Sequence, residues 1–381
     1  IGKAITESLL TTHQVINISR STPEVQHENL THYTCDVLVD ELPEIDQADG
    51  LIYCPGSINL KPFNRLSIDD FKTDFEINVI GAVKAIQKYA RVMKDSQSRL
   101  ALFAAIEGGH VFWSQEITTY GPDHVYKKLI DGGYDGVKFG KTIDRLRALK
   151  VDEIAKSIEI ARAIFLTPEM AQWPEQLNEL AAPPIGLIVK GDVDVLQERG
   201  LAIVGTRNPT PYGIRHAGDF AAGFVDREWS IVSGGAYGID THAHKGALIA
   251  EGITIAVIAS GIDINYPAGN ERLFTEIAEL GAIVSEVMPG TPAFPSRFLT
   301  RNRIIAALSM STLVVEAAFR SGSLRTARDA AELMRPVMAI PGPINSPTSE
   351  GTHRLIGERA AEIVTSVSDA VELISSLEQL V

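Results

Sequence analysis

Three glycines in six residues, within Ser233-Gly234-Gly235-Ala236-Tyr237-Gly238, precede a helical pattern. Glycine leaves backbone N–H groups unshielded and a helix N-terminus adds positive potential, so this stretch is suited to hold an anion. Two other stretches combine similar backbone freedom with guanidinium groups. Gly205-Thr206-Arg207-Asn208-Pro209 joins a tight turn to an arginine that can fork two donors onto a phosphate. Arg320-Ser321-Gly322-Ser323-Leu324-Arg325-Thr326 gathers hydroxyls, glycine and arginine. Ser260-Gly261-Ile262-Asp263, followed by Tyr266-Pro267, adds another turn, and Arg301-Asn302-Arg303 places an amide between two cations, where it can bond sugar, base or backbone. A single glycine loop arises by chance, whereas several of this kind predict a phosphate-binding rim.

Other uses of these residues stay open. Arg297, Arg301 and Arg303 cannot share one helical face, and pairing with Glu286 or Glu316 would make them order the loop instead of binding a ligand. Tyr237, Tyr266 and Phe294 suit base stacking and suit packing equally. Asp240, His242 and His244 raise a hydrolytic or metal reading, but the two histidines diverge on a helix, so no metal and no catalytic residue is expected.

The elements that must bring the loops together are short, apolar and β-branched: Leu201–Gly205, Ser230–Ser233, Thr254–Ala259, Ala282–Ser285, Thr312–Ala317 and Val337–Ile340. Each is followed by a small-residue turn and a helical pattern, which predicts an α/β domain with a doubly wound parallel sheet over residues 183–381. In such sheets ligands bind beyond the carboxyl ends of the strands, where these loops lie. Upstream, residues 99–182 read as a small helical module, with helices at 100–106, 113–119, 124–130, 143–149 and 154–164 and with Trp113 and Trp173 as core anchors. The prolines from Pro168 to Pro184 suggest a linker. Residues 1–98 read as a partial βαβ segment, with a helix at 4–10, strands at 14–19 and 50–54, and a helix at 77–93.

Composition limits the partners. With 381 residues and a formal charge of −13, the chain is not one that coats nucleic acid by bulk electrostatics. Between Pro295 and Arg335, however, seven arginines face three acids, a local balance of +4, unless that stretch is only a solvated helix face. Two cysteines make neither a disulfide framework nor a zinc site and favour a cytoplasmic location. Apolar runs such as Ile253–Ile258 fall short of the ~20 residues of a membrane helix, and no leader is expected from the first residues.

Two resemblances follow. Residues 1–98 resemble a truncated short-chain dehydrogenase, through Ile1-Gly2-Lys3-Ala4, Ser19-Arg20, Cys35-Asp36-Val37, Cys54-Pro55-Gly56 and Asn78-Val79. That family's pyrophosphate glycines and its Ser with Tyr-x-x-x-Lys are missing, so neither a cofactor nor hydride transfer is expected. Residues 99–376 resemble the DNA-processing protein A (DprA, or Smf) family. The matching motifs are Ser233-Gly234-Gly235-Ala236 with Gly238-Ile239-Asp240 and Ala243-His244, Gly261 with Asp263 and Tyr266-Pro267, and Phe294-Pro295. They continue through Arg301-Asn302-Arg303-Ile304-Ile305-Ala306, Leu308-Ser309, Glu316-Ala317, Ser321-Gly322-Ser323-Leu324, Thr326-Ala327, Pro341-Gly342 and Gly351. This resemblance implies an extended Rossmann-like domain that binds single-stranded DNA, dimerises, and loads RecA recombinase in natural transformation and recombination, without catalysis. It implies a DNA pocket lined by Arg207, Ser233 to Gly238, Arg301 to Arg303 and Ser321 to Ser323. Ala268 stands where many members have Lys, with Arg272 as a replacement; His353 stands where Asn is common; and the winged-helix tail that some members carry is not expected here. The rival is a nucleoside-monophosphate phosphoribohydrolase of a related nucleotide fold, which needs an acid that Arg320–Thr326 does not supply.

Overall fold

The structure is a computed structural model describing residues 2–11, 13–45, 48, 51–55 and 67–378. The chain divides into two compact units, Ile1–Ser98 and Arg99–Val381.

In the first unit α1 (Gly2–Leu9) precedes a parallel pair of strands, β1 (Val15–Ser19) and β2 (Leu30–Thr34), with Val15 opposite Leu30. Next come α2 (Ile68–Phe75), started by a reciprocal Ser67–Asp70 capping box, and α3 (Gly81–Ala105). The strand expected at 50–54 is not there: residues 51–54 join no ladder, and Gly50 lies outside the described residues. Instead, the Tyr53 hydroxyl donates to the Ile77 carbonyl (2.6 Å). β1 pairs with Leu30-Thr31-His32-Tyr33-Thr34, whose polar residues hid it as a strand.

The second unit takes in the end of α3 from Arg99 to Ala105, followed by α4 (Val111–Tyr120), α5 (Pro122–Ile130), α6 (Gly136–Ala148) and α7 (Val151–Ile160). α7 stops before the expected Ile164, because Arg162 adopts φ 54° and Ile164 opens β3 (Ile164–Leu166). The sheet continues with β4 (Leu187–Gly191), β5 (Gly200–Val204), β6 (Ser230–Ser233), β7 (Thr254–Ile258), β8 (Ala282–Ser285), β9 (Ser311–Val314), β10 (Val337–Ala339) and β11 (Glu362–Ile363). Between and after the strands run α8 (Pro211–Val225), α9 (Ile239–Ile249), α10 (Glu271–Leu280), α11 (Pro295–Ala307), α12 (Ser323–Glu332), α13 (Glu350–Gly357) and α14 (Val367–Glu378).

The nine strands lie in the order β11-β10-β9-β5-β6-β7-β8-β4-β3. Neighbours from β11 to β8 are parallel, while β4 runs antiparallel to β8 and β3 antiparallel to β4. All six expected strands are present; β3, β4 and the two-residue β11 are additions too short or too irregular to read from pattern. Successive residues of each strand point to opposite faces, and both faces are covered. Val232, Ile255, Val257 and Val314 pack with α11, α12 and the segment containing Trp173, Leu177 and Leu180. That segment was expected to be a linker. Its proline-rich sequence hides apolar residues that are in fact buried in the core. On the opposite face, Leu201, Ile203, Ile231 and Leu313 meet α8, α9 and α14. Ala256, Ile258 and Ile283 meet α10 and the helices carrying Trp113, Ile117, Val125 and Leu129.

Candidate functional site

The chain reverses its direction of winding between β5 and β9, which are adjacent although three strands separate them in sequence. Connections leaving a sheet on opposite sides open a crevice beyond the carboxyl ends at that point. Its floor is Glu316, 2% exposed, which accepts from the Thr210 amide (2.9 Å) and hydroxyl (2.6 Å) and from the Thr348 hydroxyl (3.2 Å). The Thr210 hydroxyl also accepts from Gly213 N (3.3 Å), capping α8. Just above the end of β5, Arg207 is exposed, with its guanidinium 4.9 Å from the centre of the Phe298 ring. Tyr266 approaches Phe298 at 5.5 Å between ring centres. The result is an exposed cation on an aromatic platform that retains unspent donors.

The glycine loop after β6 is built differently from an empty anion nest. Ser233 is buried and donates its hydroxyl to the Ile203 carbonyl (2.6 Å). The amides of Gly234 and Ala236 donate to one carboxylate oxygen of Asp240, at 3.2 and 3.4 Å. Arg301 enters from α11, buried, and donates to the carbonyls of Gly234 (2.7 Å) and Val257, fastening the ends of β6 and β7. Gly234 has no side chain because Arg301 occupies that space: a Cβ there would lie 2.5 Å from its guanidinium. Gly238 has φ 84°, and a Cβ on it would lie 2.3 Å from the Thr206 carbonyl oxygen. Burial pushes the Asp240 pKa up, opposed by Arg301, by the two amides and by Arg207. Burial and, to a smaller extent, Arg207 lower Arg301 to about 10 against the pull of Asp240, which leaves it cationic at neutral pH.

The remaining residues read from the sequence fall into three places. Asn302 donates to the Gly322 carbonyl (3.2 Å), tying α11 to the Ser321-Gly322-Ser323 turn, where the two serine hydroxyls lie 2.7 Å apart. Arg303 turns to the other side of α11 and pairs with Glu286, their side chains 11% and 8% exposed; burial pushes the Glu286 pKa up and Arg303 opposes it. Pairing is therefore what Arg303 does, while Glu316 is held by threonines. Gly261 belongs to the turn after β7 and donates to the Thr291 carbonyl (2.8 Å). Tyr237, Tyr266 and Phe294 are each about half exposed, at 50%, 46% and 52%; Tyr266 meets Phe298, and Phe294 lies under the Arg297 guanidinium (5.1 Å). Ala268 is exposed, and Arg272 forms an exposed pair with Glu276 one helical turn on (3.0 Å). His244 is fully buried against the Thr254 hydroxyl (2.7 Å) and burial lowers its pKa to about 3. Among the described residues no three His, Cys, Asp or Glu groups converge on a possible metal site. Sequence reading missed Phe298, whose signal was its position one turn before Arg301 and Asn302, and the inward use of Asp240.

A family model for DNA recombination-mediator protein A matches residues 164–375, more than half of the chain. A putative DNA processing protein DprA of Mycobacterium tuberculosis (strain H37Rv) is 40% identical over 247 residues, which are 61% of this chain and 63% of that protein. The chain thus spans less than two thirds of that relative. The X-ray structure of DNA processing protein A from Streptococcus pneumoniae superimposes with a TM-score of 0.57 at 37% identity, covering 61% of this chain and 81% of that one. DNA processing protein A from Helicobacter pylori, whose structure was described for its single-stranded DNA binding mode, gives 0.52 at 32% identity and 57% and 96% coverage. The resemblance of residues 1–98 to short-chain dehydrogenases gains no support from these comparisons. The matched region contains every loop of the rim, from Arg207 to Ser323, and on that extent the chain belongs to the DNA recombination-mediator protein A (DprA/Smf) family.

Proposed function

We propose that the rim binds single-stranded DNA and that the chain acts as a non-enzymatic recombination mediator in DNA processing during natural transformation. The observation that carries this reading is Arg207: an exposed guanidinium on Phe298, whose ring also meets exposed Tyr266, at the switch point of the sheet. A single strand offers such a surface both phosphates and unstacked base faces, each stacked base contributing about 1–3 kcal/mol. Membership of the DprA/Smf family and the Helicobacter pylori relative support the same ligand. In this reading Arg207 and the ring platform touch DNA, the Ser321–Ser323 turn and the Gly261 turn border the path, and Arg301, Asn302 and the glycines at 234, 235 and 238 hold those groups in place. RecA as partner, a homodimer and a cytoplasmic site of action extend the reading from the family resemblance. No helix among the described residues is long and apolar enough to cross a membrane.

The phosphoribohydrolase alternative is not favoured. Glu316, the acid just after β9, is buried and held by Thr210 and Thr348, and Asp329, the acid that reaches the Arg320–Thr326 loop, is buried and paired with Arg325 (2.7 Å), so each is already engaged within the fold. The test is a competition between single- and double-stranded oligonucleotides of one sequence in a gel shift. The single strand is expected to win clearly. Equal competition by the duplex would contradict the role given to the aromatic platform.

A further inference from the structure

We infer that Asp240 is an internal anion that closes the glycine loop to free phosphate and mononucleotides. Its role is specificity, and it is separate from the binding of a DNA strand. A glycine loop at a helix N-terminus ordinarily attracts phosphate because its amides point outward, unpaired, into positive potential. Here the amides of Gly234 and Ala236 both point at the Asp240 carboxylate, at 3.2 and 3.4 Å. Asp240 belongs to the first turn of α9, so it also answers the helix dipole. It is 7% exposed, and the two cations electrostatically coupled to it are buried Arg301 and exposed Arg207. Two amides, a helix end and two guanidinium groups make an anion site, and the side chain of this chain's own Asp240 fills it.

Two consequences follow from charge. A phosphate monoester entering the loop would meet a carboxylate already bound to the donors it needs, and like charges at that distance repel strongly in a buried setting. A phosphodiester strand lying across the rim does not enter the loop; it meets Arg207 above it. Removal of the Asp240 charge leaves Arg301 and the two amides without an anion and turns the loop into a phosphate receptor.

The experiment titrates inorganic phosphate and AMP, separately, into the full chain and into Asp240→Ala and Asp240→Asn, by calorimetry and by following backbone amide NMR shifts. Circular dichroism checks that each variant is folded. Asp240→Asn keeps the size of the side chain and carries the test if the alanine variant unfolds. The wild-type chain is expected to show no saturable binding, and at least one folded variant to bind inorganic phosphate at least about tenfold more tightly, with shifts at Gly234 and Ala236. Saturable binding of phosphate or AMP to the wild-type loop would overturn the inference. So would folded variants that bind no better than wild type. No DNA is used, so this outcome is read separately from that of the DNA-binding proposal.

Discussion

Burial separates three arginines that look alike in the sequence. Arg207 is exposed on a ring, Arg301 is spent on two carbonyls beneath the glycine loop, and Arg303 is spent on Glu286. Residue type and spacing announced a cluster of cations; Arg207 stands apart in the loop after β5, while the inward course of Arg301 and Arg303 depends on how α11 is rotated against the sheet, which is decided by packing of Ile304, Ile305 and Ala306, not by the arginines. Histidine gives a test at this scale. His244 is buried beside Thr254, with its pKa lowered to about 3 by burial first and by the charge of Arg301 second. The unfolded chain takes up a proton near pH 6.5 that the folded chain refuses. The contribution of this group is therefore full above about 6.5 and is lost as pH falls toward 3, by up to about 1.4 kcal/mol per pH unit. Urea unfolding between pH 7 and 5 should show a shallower decline for His244→Gln than for wild type. Parallel declines would mean that His244 is not the group responsible.

At the scale of elements, the sheet was legible because its strands are buried on both faces and so are written as short apolar runs between small-residue turns. β5 to β10 follow from that pattern. β3 and β4 did not stand out because one is three residues long and the other follows a proline-rich stretch, and Trp173, Leu177 and Leu180 were hidden among those prolines. The glycine loop was legible in kind and misread in detail. Its glycines meet steric demands from within the molecule, with Gly234 making room for Arg301 and Gly238 passing close to Thr206. Gly238→Ala places a side chain at φ 84° and against the Thr206 carbonyl, and should cost about 2 kcal/mol or more. Thermal or urea unfolding measures the loss; an unchanged midpoint would show that the loop is free to adopt another path.

For the whole molecule, the charge of −13 and a basic stretch of +4 between Pro295 and Arg335 oppose one another. An acidic protein holds a polyanion only through a local surface, and the strength of that hold must depend on salt because counterions leave the strand on binding. α11 turns Arg301 and Arg303 inward, while Arg320, Arg325 and Arg328 of the same stretch stay exposed; in the proposed reading it is Arg207, outside that stretch, that meets the strand on the aromatic platform. The most direct test is fluorescence anisotropy of a labelled single-stranded oligonucleotide with wild type and Arg207→Ala, at low and moderate salt. Wild type should bind at low salt and weaken as salt rises, while Arg207→Ala, with its unfolding midpoint unchanged, should bind about tenfold less tightly with a salt slope shallower by roughly one phosphate contact. No binding by wild type at low salt, or equal binding by Arg207→Ala, would contradict the account.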